Sequence, residues 1–333
     1  MNDNKNAPTA LLAGRMCTSR ETLVRELITT DWNFLKWDED EDFKGFVERA
    51  PLADVIVAGN IVGDWPKLPK LKLRQVPNTG INWLSPADMP KGSVVCNAFG
   101  HEIAIAEYII AGMLDRAIGL SAMDAKFRKD GWAGRRPGML ASHGELYEKT
   151  VGIVGYGHIG REVAKRAKGF GMRVIAASRT VYEAPELAWF GGMDKLAQFL
   201  AEADYVVVTL PLAPETKEMF DARLFALMKP DGVIVNVGRG EVMHERDLYE
   251  ALRDKRIGGA VIDVWFDYPK NGEPECPPSK FPFGELDNVL MTPHASGSTD
   301  PMRRRRWAQV AANLDHFAKG EPLENFCFEG TGD

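Results

Sequence analysis

The stretch Val151-Gly-Ile-Val-Gly-Tyr-Gly-His-Ile-Gly160 decides the fold. It begins as an apolar run, passes through Gly155-x-Gly157-x-x-Gly160, and opens into a helical pattern from Arg161 onward. An apolar strand that feeds a glycine-rich turn and then a helix is the context in which this spacing binds a dinucleotide. Gly155 permits the tight turn, Gly157 leaves the backbone bare where a pyrophosphate approaches, and Gly160 lets the helix pack close to the strand. The amides of His158 and Ile159 then point at the phosphates from the helix N-terminus.

Working outward, six β-rich runs start near Thr150: TVGIV, RVIAA, YVVVTL, GVIVNV, GAVID and NVLMT. Helical patterns at 161–168, 195–203, 221–228 and 246–253 separate the early ones, and six strands in series is the size of a full doubly wound dinucleotide fold. Upstream, residues 10–13, 55–58, 71–76 and 93–96 read as strands, with helical patterns at 21–29 and 41–49. A long helical pattern over 103–128 links the two halves. From Pro293 the chain reads as a loop, a helix that returns to the first half, and a tail. The expected fold class is α/β, with two doubly wound Rossmann/flavodoxin-like domains and a cleft between them. Residues 1–115 plus 296–333 form a discontinuous substrate domain, and 116–295 the dinucleotide-binding domain.

The composition sets limits. The 333 residues are 45% hydrophobic and 26% charged with a net charge of −6, which gives no electrostatic reason to expect nucleic acid or an anionic membrane as partner. No apolar run approaches the roughly 20 residues that span a bilayer, and no signal peptide is read at the N-terminus. The four cysteines, Cys17, Cys96, Cys276 and Cys327, are scattered, and the six histidines form no HExxH or HxH pattern. Free thiols in the cytoplasm and no metal site are expected.

The end of the second strand reads VIAASRT. An NAD enzyme carries Asp or Glu here to take the ribose hydroxyls. Ser178, Arg179 and Thr180 stand here instead; Arg179 can pair with a 2′-phosphate and stack on adenine, and the two hydroxyls can donate to the phosphate. NADP(H) is therefore expected over NAD(H), which stays as the alternative.

Further motifs follow in order: LPLAPETK at 210–217, NVGRGEVMHERDLYEALRDKRIGGAVIDVW at 236–265, and TPHASG at 292–297. With GYGHIG they make the chain resemble a D-isomer-specific 2-hydroxyacid dehydrogenase along nearly its whole length. The Ser-Arg-Thr signature looks most like that of the NADPH-preferring glyoxylate and hydroxypyruvate reductases. The resemblance implies a small 2-oxo or 2-hydroxy acid as substrate and a homodimer.

Reducing a 2-oxo acid needs a cation for the carboxylate, a proton for the ketone oxygen and a hydride donor facing the carbon. Arg239 matches the family's catalytic arginine and His294 its general acid. By the same resemblance Asp263 binds near the nicotinamide carboxamide, and Leu210, Pro211, Thr216, Val237, Gly238, Ser296 and Gly297 line the cofactor. Thr79, Gly80 and Ile81 offer backbone amides to the substrate carboxylate. His101, in the segment leading to the long helix, reads as a wall or surface residue. Trp132 and Arg135 lie in an arm that crosses the dimer in relatives, and the basic run 303–306 reads as a solvated or dimer-facing helix.

One departure stands out. Most of the family has a glutamate that hydrogen-bonds the catalytic histidine, and here Asp263-Val-Trp-Phe-Asp-Tyr-Pro puts Tyr268 at that position. A phenol supplies no charge, but it can orient the ring by a hydrogen bond. Tyr268 is therefore expected to orient His294, with reduction favoured at neutral to mildly acidic pH. Two other readings compete: an NADP(H)-sensing binding protein without turnover, and a formate-dehydrogenase-like oxidase. Arg239 and His294 argue against the first, Tyr268 and Ser178-Arg179 against the second.

Overall fold

Strands buried on both faces read as unbroken apolar runs, and the runs in this chain behave so. The computed structural model describes residues 7–132, 142–269 and 276–332. The chain divides into two units: unit 1 is Met1–His101 with Thr299–Asp333, and unit 2 is Glu102–Ser298.

Unit 1 begins β1 (Thr9–Ala13), α1 (Arg15–Thr18), α2 (Glu21–Leu27), β2 (Asn33–Trp37), α3 (Phe43–Arg49), β3 (Val55–Ala58), β4 (Leu73–Gln75), β5 (Val94–Cys96). Unit 2 opens with α4 (Glu102–Ile118) and α5 (Leu120–Asp130), then β6 (Thr150–Val154), α6 (His158–Gly169), β7 (Arg173–Ala177) and β8 (Trp189–Gly191). It continues with α7 (Leu196–Glu202), β9 (Tyr205–Val208), α8 (Ala222–Phe225), β10 (Val233–Asn236), α9 (Glu245–Arg253), β11 (Gly259–Ile262) and β12 (Val289–Met291). The chain then returns to unit 1 as α10 (Asp300–Lys319) and β13 (Phe326–Glu329).

The unit 1 sheet runs β2-β1-β3-β4-β5-β13, parallel except for β13, which pairs antiparallel with β5. Its first five strands have the flavodoxin-like order. The unit 2 sheet runs β8-β7-β6-β9-β10-β11-β12, all parallel. That is the Rossmann order with one strand added, and it reverses direction between β6 and β9. The fold is thus α/β with two doubly wound units. Strands β3, β6, β9, β10 and β11 are buried along their length, and each sheet carries an apolar cluster on both faces.

Helix α10 explains why unit 1 is discontinuous. Thr299 caps it by accepting from the Met302 amide at 3.1 Å, and Trp307, Val310 and Leu314 enter the core of β1, β3 and β4. The buried Asn313 side chain donates to Gln75 of β4 at 2.7 Å and to the Glu324 carbonyl at 2.9 Å. The last segment is thereby tied to the first sheet.

Several expectations need correcting. The single helix over 103–128 is two, because Gly119 adopts the left-handed conformation at φ 71° between α4 and α5. The expected boundary at 115/116 falls inside α4. Contacts put it at 101/102, because Ile105, Ala106, Ile109, Ile110 and Met113 pack with β6 and α6. The second boundary falls at 298/299 rather than 295/296, because the amides of Ala295 and Ser296 hold to Asp263 in unit 2. Strands β2, β8 and β13 were not expected. All three lie at or next to a sheet edge and are only partly buried, so they lack the continuous apolar run that marks a central strand.

Candidate active site

The turn after β6 lies at the point where the unit 2 sheet reverses. Gly155 takes φ 95°, which favours glycine, and a Cβ there would lie 2.9 Å from the Thr209 hydroxyl. That hydroxyl donates to the Gly155 carbonyl at 2.6 Å and fixes the turn. A Cβ on Gly157 would meet nothing within 4 Å, so the backbone there is open to a bulky group. A Cβ on Gly160 would lie 2.7 Å from the Gly155 carbonyl, so only glycine lets α6 sit this close. His158 and Ile159 open α6, a helix of 12 residues, with its amide dipole directed at this turn.

At the end of β7, Ser178 is half-buried, while Arg179 and Thr180 are exposed. None of the three is acidic. Arg179 meets Glu215 at 3.3 Å, which sequence reasoning did not anticipate. Beside them, Tyr182 donates to the Tyr156 carbonyl at 2.8 Å and accepts from Arg161 Nε at 3.0 Å. Leu210 and Pro211 follow β9. Thr216 donates to the Pro211 carbonyl at 2.7 Å and accepts from the Ala213 amide at 2.8 Å, so its hydroxyl closes its own turn. These residues suit the phosphates and adenosine of a dinucleotide.

Arg239, Tyr268 and His294 lie beyond the carboxyl ends of β10, β11 and β12, three adjacent strands. The Arg239 turn is held by Asn236, whose side chain accepts from the Gly238 amide at 3.1 Å and donates to the Arg239 carbonyl at 3.1 Å. Val237 and Gly238 are buried while Arg239 is exposed, with Nη1 donating to the Gly238 carbonyl at 2.7 Å. Asn236 is the residue that sequence reasoning missed. Its signal was a polar side chain closing an otherwise apolar strand.

Asp263 is fully buried, and its partners are protein groups. It accepts from the Thr292 hydroxyl at 2.6 Å and from the amides of Ala295 at 2.8 Å and Ser296 at 2.9 Å. Burial pushes the Asp263 carboxyl up, but the hydrogen bonds from Ser296, Thr292 and the Ala295 amide outweigh it and hold the group below the usual aspartate range. Tyr108 of α4 meets the Thr292 hydroxyl at 2.6 Å, and Trp265 Nε1 donates to the Thr292 carbonyl at 2.8 Å. Asp263 therefore grips the chain on both sides of His294, which takes φ 54° and is exposed. A histidine in this conformation is strained, and the two-sided grip sustains it. Ser296 is buried within this loop and Gly297 is half-buried.

The Tyr268 and His294 rings meet with centroids 5.6 Å apart at an angle of 57°. The expected hydrogen bond to the imidazole is replaced by a ring contact, because the Tyr268 hydroxyl accepts from the Trp265 amide at 3.0 Å. Burial pushes the Tyr268 phenol up, partly offset by the Trp265 amide and the Arg239 cation.

In unit 1, the loop after β4 is pinned to the segment after β5. Thr79 donates to the Ala98 carbonyl at 2.8 Å and lies 3.3 Å from His101 Nδ1, while Asn97 donates to the Thr79 carbonyl at 2.8 Å. Gly80 is exposed and Ile81 half-buried; their amides donate to no protein acceptor among the described residues. In the basic run on α10 Arg304 is exposed, whereas Arg305 donates to the Gly100 carbonyl at 3.1 Å and Arg306 to the Phe99 carbonyl at 3.4 Å. Trp132 is 73% exposed; Arg135 lies outside the described residues.

A profile described as "D-isomer specific 2-hydroxyacid dehydrogenase, NAD binding domain" matches residues 110–296. The chain belongs to the D-isomer specific 2-hydroxyacid dehydrogenase family. It is 32% identical over 302 residues to a glyoxylate reductase of Pyrococcus furiosus, covering 91% of this chain and 83% of that one. It is 33% identical over 262 residues to a D-3-phosphoglycerate dehydrogenase of Methanocaldococcus jannaschii, covering 78% of this chain and 48% of that one, so the chain spans about half the length of this relative. Among solved structures it is similar to an NADPH-dependent glyoxylate/hydroxypyruvate reductase of Sinorhizobium meliloti in complex with NADP and sulfate. The TM-score is 0.75 at 25% identity, over 96% of this chain and 98% of that chain. The matched region, 110–296, contains the glycine turn, Arg239, Tyr268 and His294.

Proposed function

We propose that the chain is an NADPH-dependent reductase of a small 2-oxo acid, of the glyoxylate or hydroxypyruvate type, that forms the D-2-hydroxy acid. The observation that carries this reading is the set of Arg239, Tyr268 and His294 beyond three adjacent strands of a sheet whose glycine turn is open at Gly157. The named activities of the Pyrococcus and Sinorhizobium relatives support it.

In this reading the Arg239 guanidinium pairs with the substrate carboxylate and draws electron density from the ketone oxygen. His294, protonated, gives its proton to that oxygen as the carbon is reduced. When bound, NADPH supplies the hydride. Asp263 positions His294 through the loop, and the Tyr268 ring limits the imidazole's rotation. Gly80 and Ile81 offer unengaged amides as substrate-binding positions, with Thr79 holding their loop. Gly155, Gly157, His158, Ile159 and Gly160 take the pyrophosphate, and Ser178, Arg179 and Thr180 take the 2′-phosphate. Arg179 must then leave Glu215. Leu210, Pro211, Thr216, Val237, Gly238, Ser296 and Gly297 line the nicotinamide side.

A homodimer in the cytoplasm completes the reading. It is supported by the exposed apolar side chains Leu120, Phe127 and Trp132 on and after α5, and by four unpaired cysteines. No helix among the described residues is long and apolar enough to cross a membrane.

The test is the loss of the reduced nicotinamide's near-ultraviolet absorbance with glyoxylate, hydroxypyruvate, pyruvate and phenylpyruvate, each with NADPH and with NADH. Faster turnover with NADPH supports the reading. NADPH binding without turnover of any of the four would favour the sensor reading instead.

A further inference from the structure

Tyr156, between Gly155 and Gly157 in the turn after β6, reaches the loop that carries Arg179. It is 3% exposed, and its ring packs against Tyr182 with centroids 6.1 Å apart and against Phe190 of β8 at 5.3 Å. Tyr182 meets Phe190 edge to face at 5.2 Å. Two hydrogen bonds run in opposite directions between the glycine turn and the loop joining β7 to β8. The Tyr156 hydroxyl donates to Glu186 at 2.7 Å, and the Tyr182 hydroxyl donates to the Tyr156 carbonyl at 2.8 Å. Arg161 of α6 donates through Nε to the same Tyr182 hydroxyl at 3.0 Å, with its guanidinium 5.2 Å from the centroid of the Tyr182 ring. A phenol has one proton. With Arg161 donating to its oxygen, the Tyr182 proton goes to the Tyr156 carbonyl, and the hydroxyl is held in one orientation.

The segment 178–181 is therefore fastened at both ends. At one end the Ser178 amide donates to the Gly191 carbonyl at 3.1 Å; at the other, Tyr182 holds to the glycine turn. Arg179 and Thr180 lie between these points with exposed side chains. Charge-assisted hydrogen bonds to a phosphate are directional, and a loop that must be ordered on binding offsets part of what they contribute. A segment already tied to the turn that takes the pyrophosphate is ordered beforehand. A dinucleotide without the 2′-phosphate makes no charge-assisted contact with Arg179, so this ordering does little for it.

We propose that Tyr182 is a specificity-determining positioning residue, whose hydroxyl fastens the Arg179 segment to the glycine turn and thereby favours NADP(H) over NAD(H). This role rests on the NADPH-dependent reading above and extends it to a residue outside Ser178, Arg179 and Thr180. Tyr182 acts through Arg179 and takes no part in hydride transfer. Arg161 acts on Tyr182 by fixing the direction of its proton.

The experiment is calorimetric titration of the full chain with NADP+, NAD+ and adenosine 2′,5′-bisphosphate, which reads binding without turnover. Tyr182→Phe keeps the ring and deletes the hydroxyl. It is expected to weaken NADP+ and adenosine 2′,5′-bisphosphate about three- to tenfold and to change NAD+ by less than about twofold. In an Arg179→Ala background the same change should weaken NADP+ by less than about twofold, because the residue through which Tyr182 acts is gone. Equal weakening of NADP+ and NAD+, or a loss of NADP+ affinity that persists in full without the Arg179 side chain, would make Tyr182 a merely structural residue and overturns the proposal. A wild type that prefers NADP+ and a Tyr182→Phe variant with the same preference overturn the role of Tyr182 alone. A wild type that binds NAD+ at least as tightly as NADP+ overturns the NADPH reading and the proposal with it.

Discussion

Glu215 faces Arg179 at 3.3 Å, and both side chains are largely solvated. An exposed pair of this kind contributes at most about 1 kcal/mol, so a 2′-phosphate can draw Arg179 away at small cost. Replacing Glu215 with Gln removes the competitor. KM for NADPH is expected to fall about two- to fivefold while KM for NADH stays put. Equal change in both would separate Arg179 from phosphate recognition. His294→Gln is expected to lower kcat by about a hundredfold or more with the melting temperature unchanged, because the side chain is exposed. A matching loss of stability would instead make His294 a structural residue. Tyr268→Glu sets a carboxylate beside the imidazole. That charge favours the protonated ring, which is the form that donates in the proposed reduction. The falling limb of the reduction profile should therefore move to higher pH, by about one unit or more. A limb that does not move would show that position 268 does not act through His294. These residues were legible in the sequence because each sits in a motif. Their partners were not, since Glu215 follows a different strand and nothing in VIAASRT points to it.

At the level of elements, the loop after β12 depends on the element before it. Asp263 holds Thr292 on one side of His294 and the amides of Ala295 and Ser296 on the other. Its carboxyl lies below the ordinary aspartate range in the folded chain, so its contribution to stability is complete above that range and is lost as pH falls through the folded value. Asp263→Asn exchanges an acceptor for a donor that faces amide N–H groups. It is expected to cost about 1–3 kcal/mol and to flatten the acid limb of unit 2 stability, measured as melting temperature against pH. An unchanged acid limb would remove Asp263 as its cause. Activity should fall more in kcat than in KM, because the loop carries the proposed proton donor. Gly160→Ala tests the turn after β6 in the same way. Its Cβ would lie 2.7 Å from a backbone oxygen, so α6 must shift, and NADPH affinity and melting temperature should fall together. The sequence identified Gly160 by its spacing. The family resemblance assigned Asp263 to the cofactor; its hold on the loop after β12 joins groups that lie about thirty residues apart, and no local motif shows it.

At the scale of the whole molecule, helix α5 has no buried residue, and Phe127 and Trp132 stack edge to face at 5.1 Å with both rings exposed. Exposed aromatic pairs of this kind mark association surfaces. Light scattering should give twice the mass of one chain, and replacing both residues with Ser should give one; a wild-type monomer would dismiss the dimer. By itself, the sequence determined the two α/β units and the glycine turn, because the central strands are continuous apolar runs and the turn needs glycine at fixed intervals. It also singled out Arg239 and His294 as candidates, because each stands within a local motif. Only the tertiary structure decided the rest. The edge strands β2, β8 and β13 take their burial from neighbours distant in sequence, and Gly119 breaks a helical pattern by backbone conformation alone. The partners of Asp263 depend on which groups meet in space, and no period in the chain encodes that.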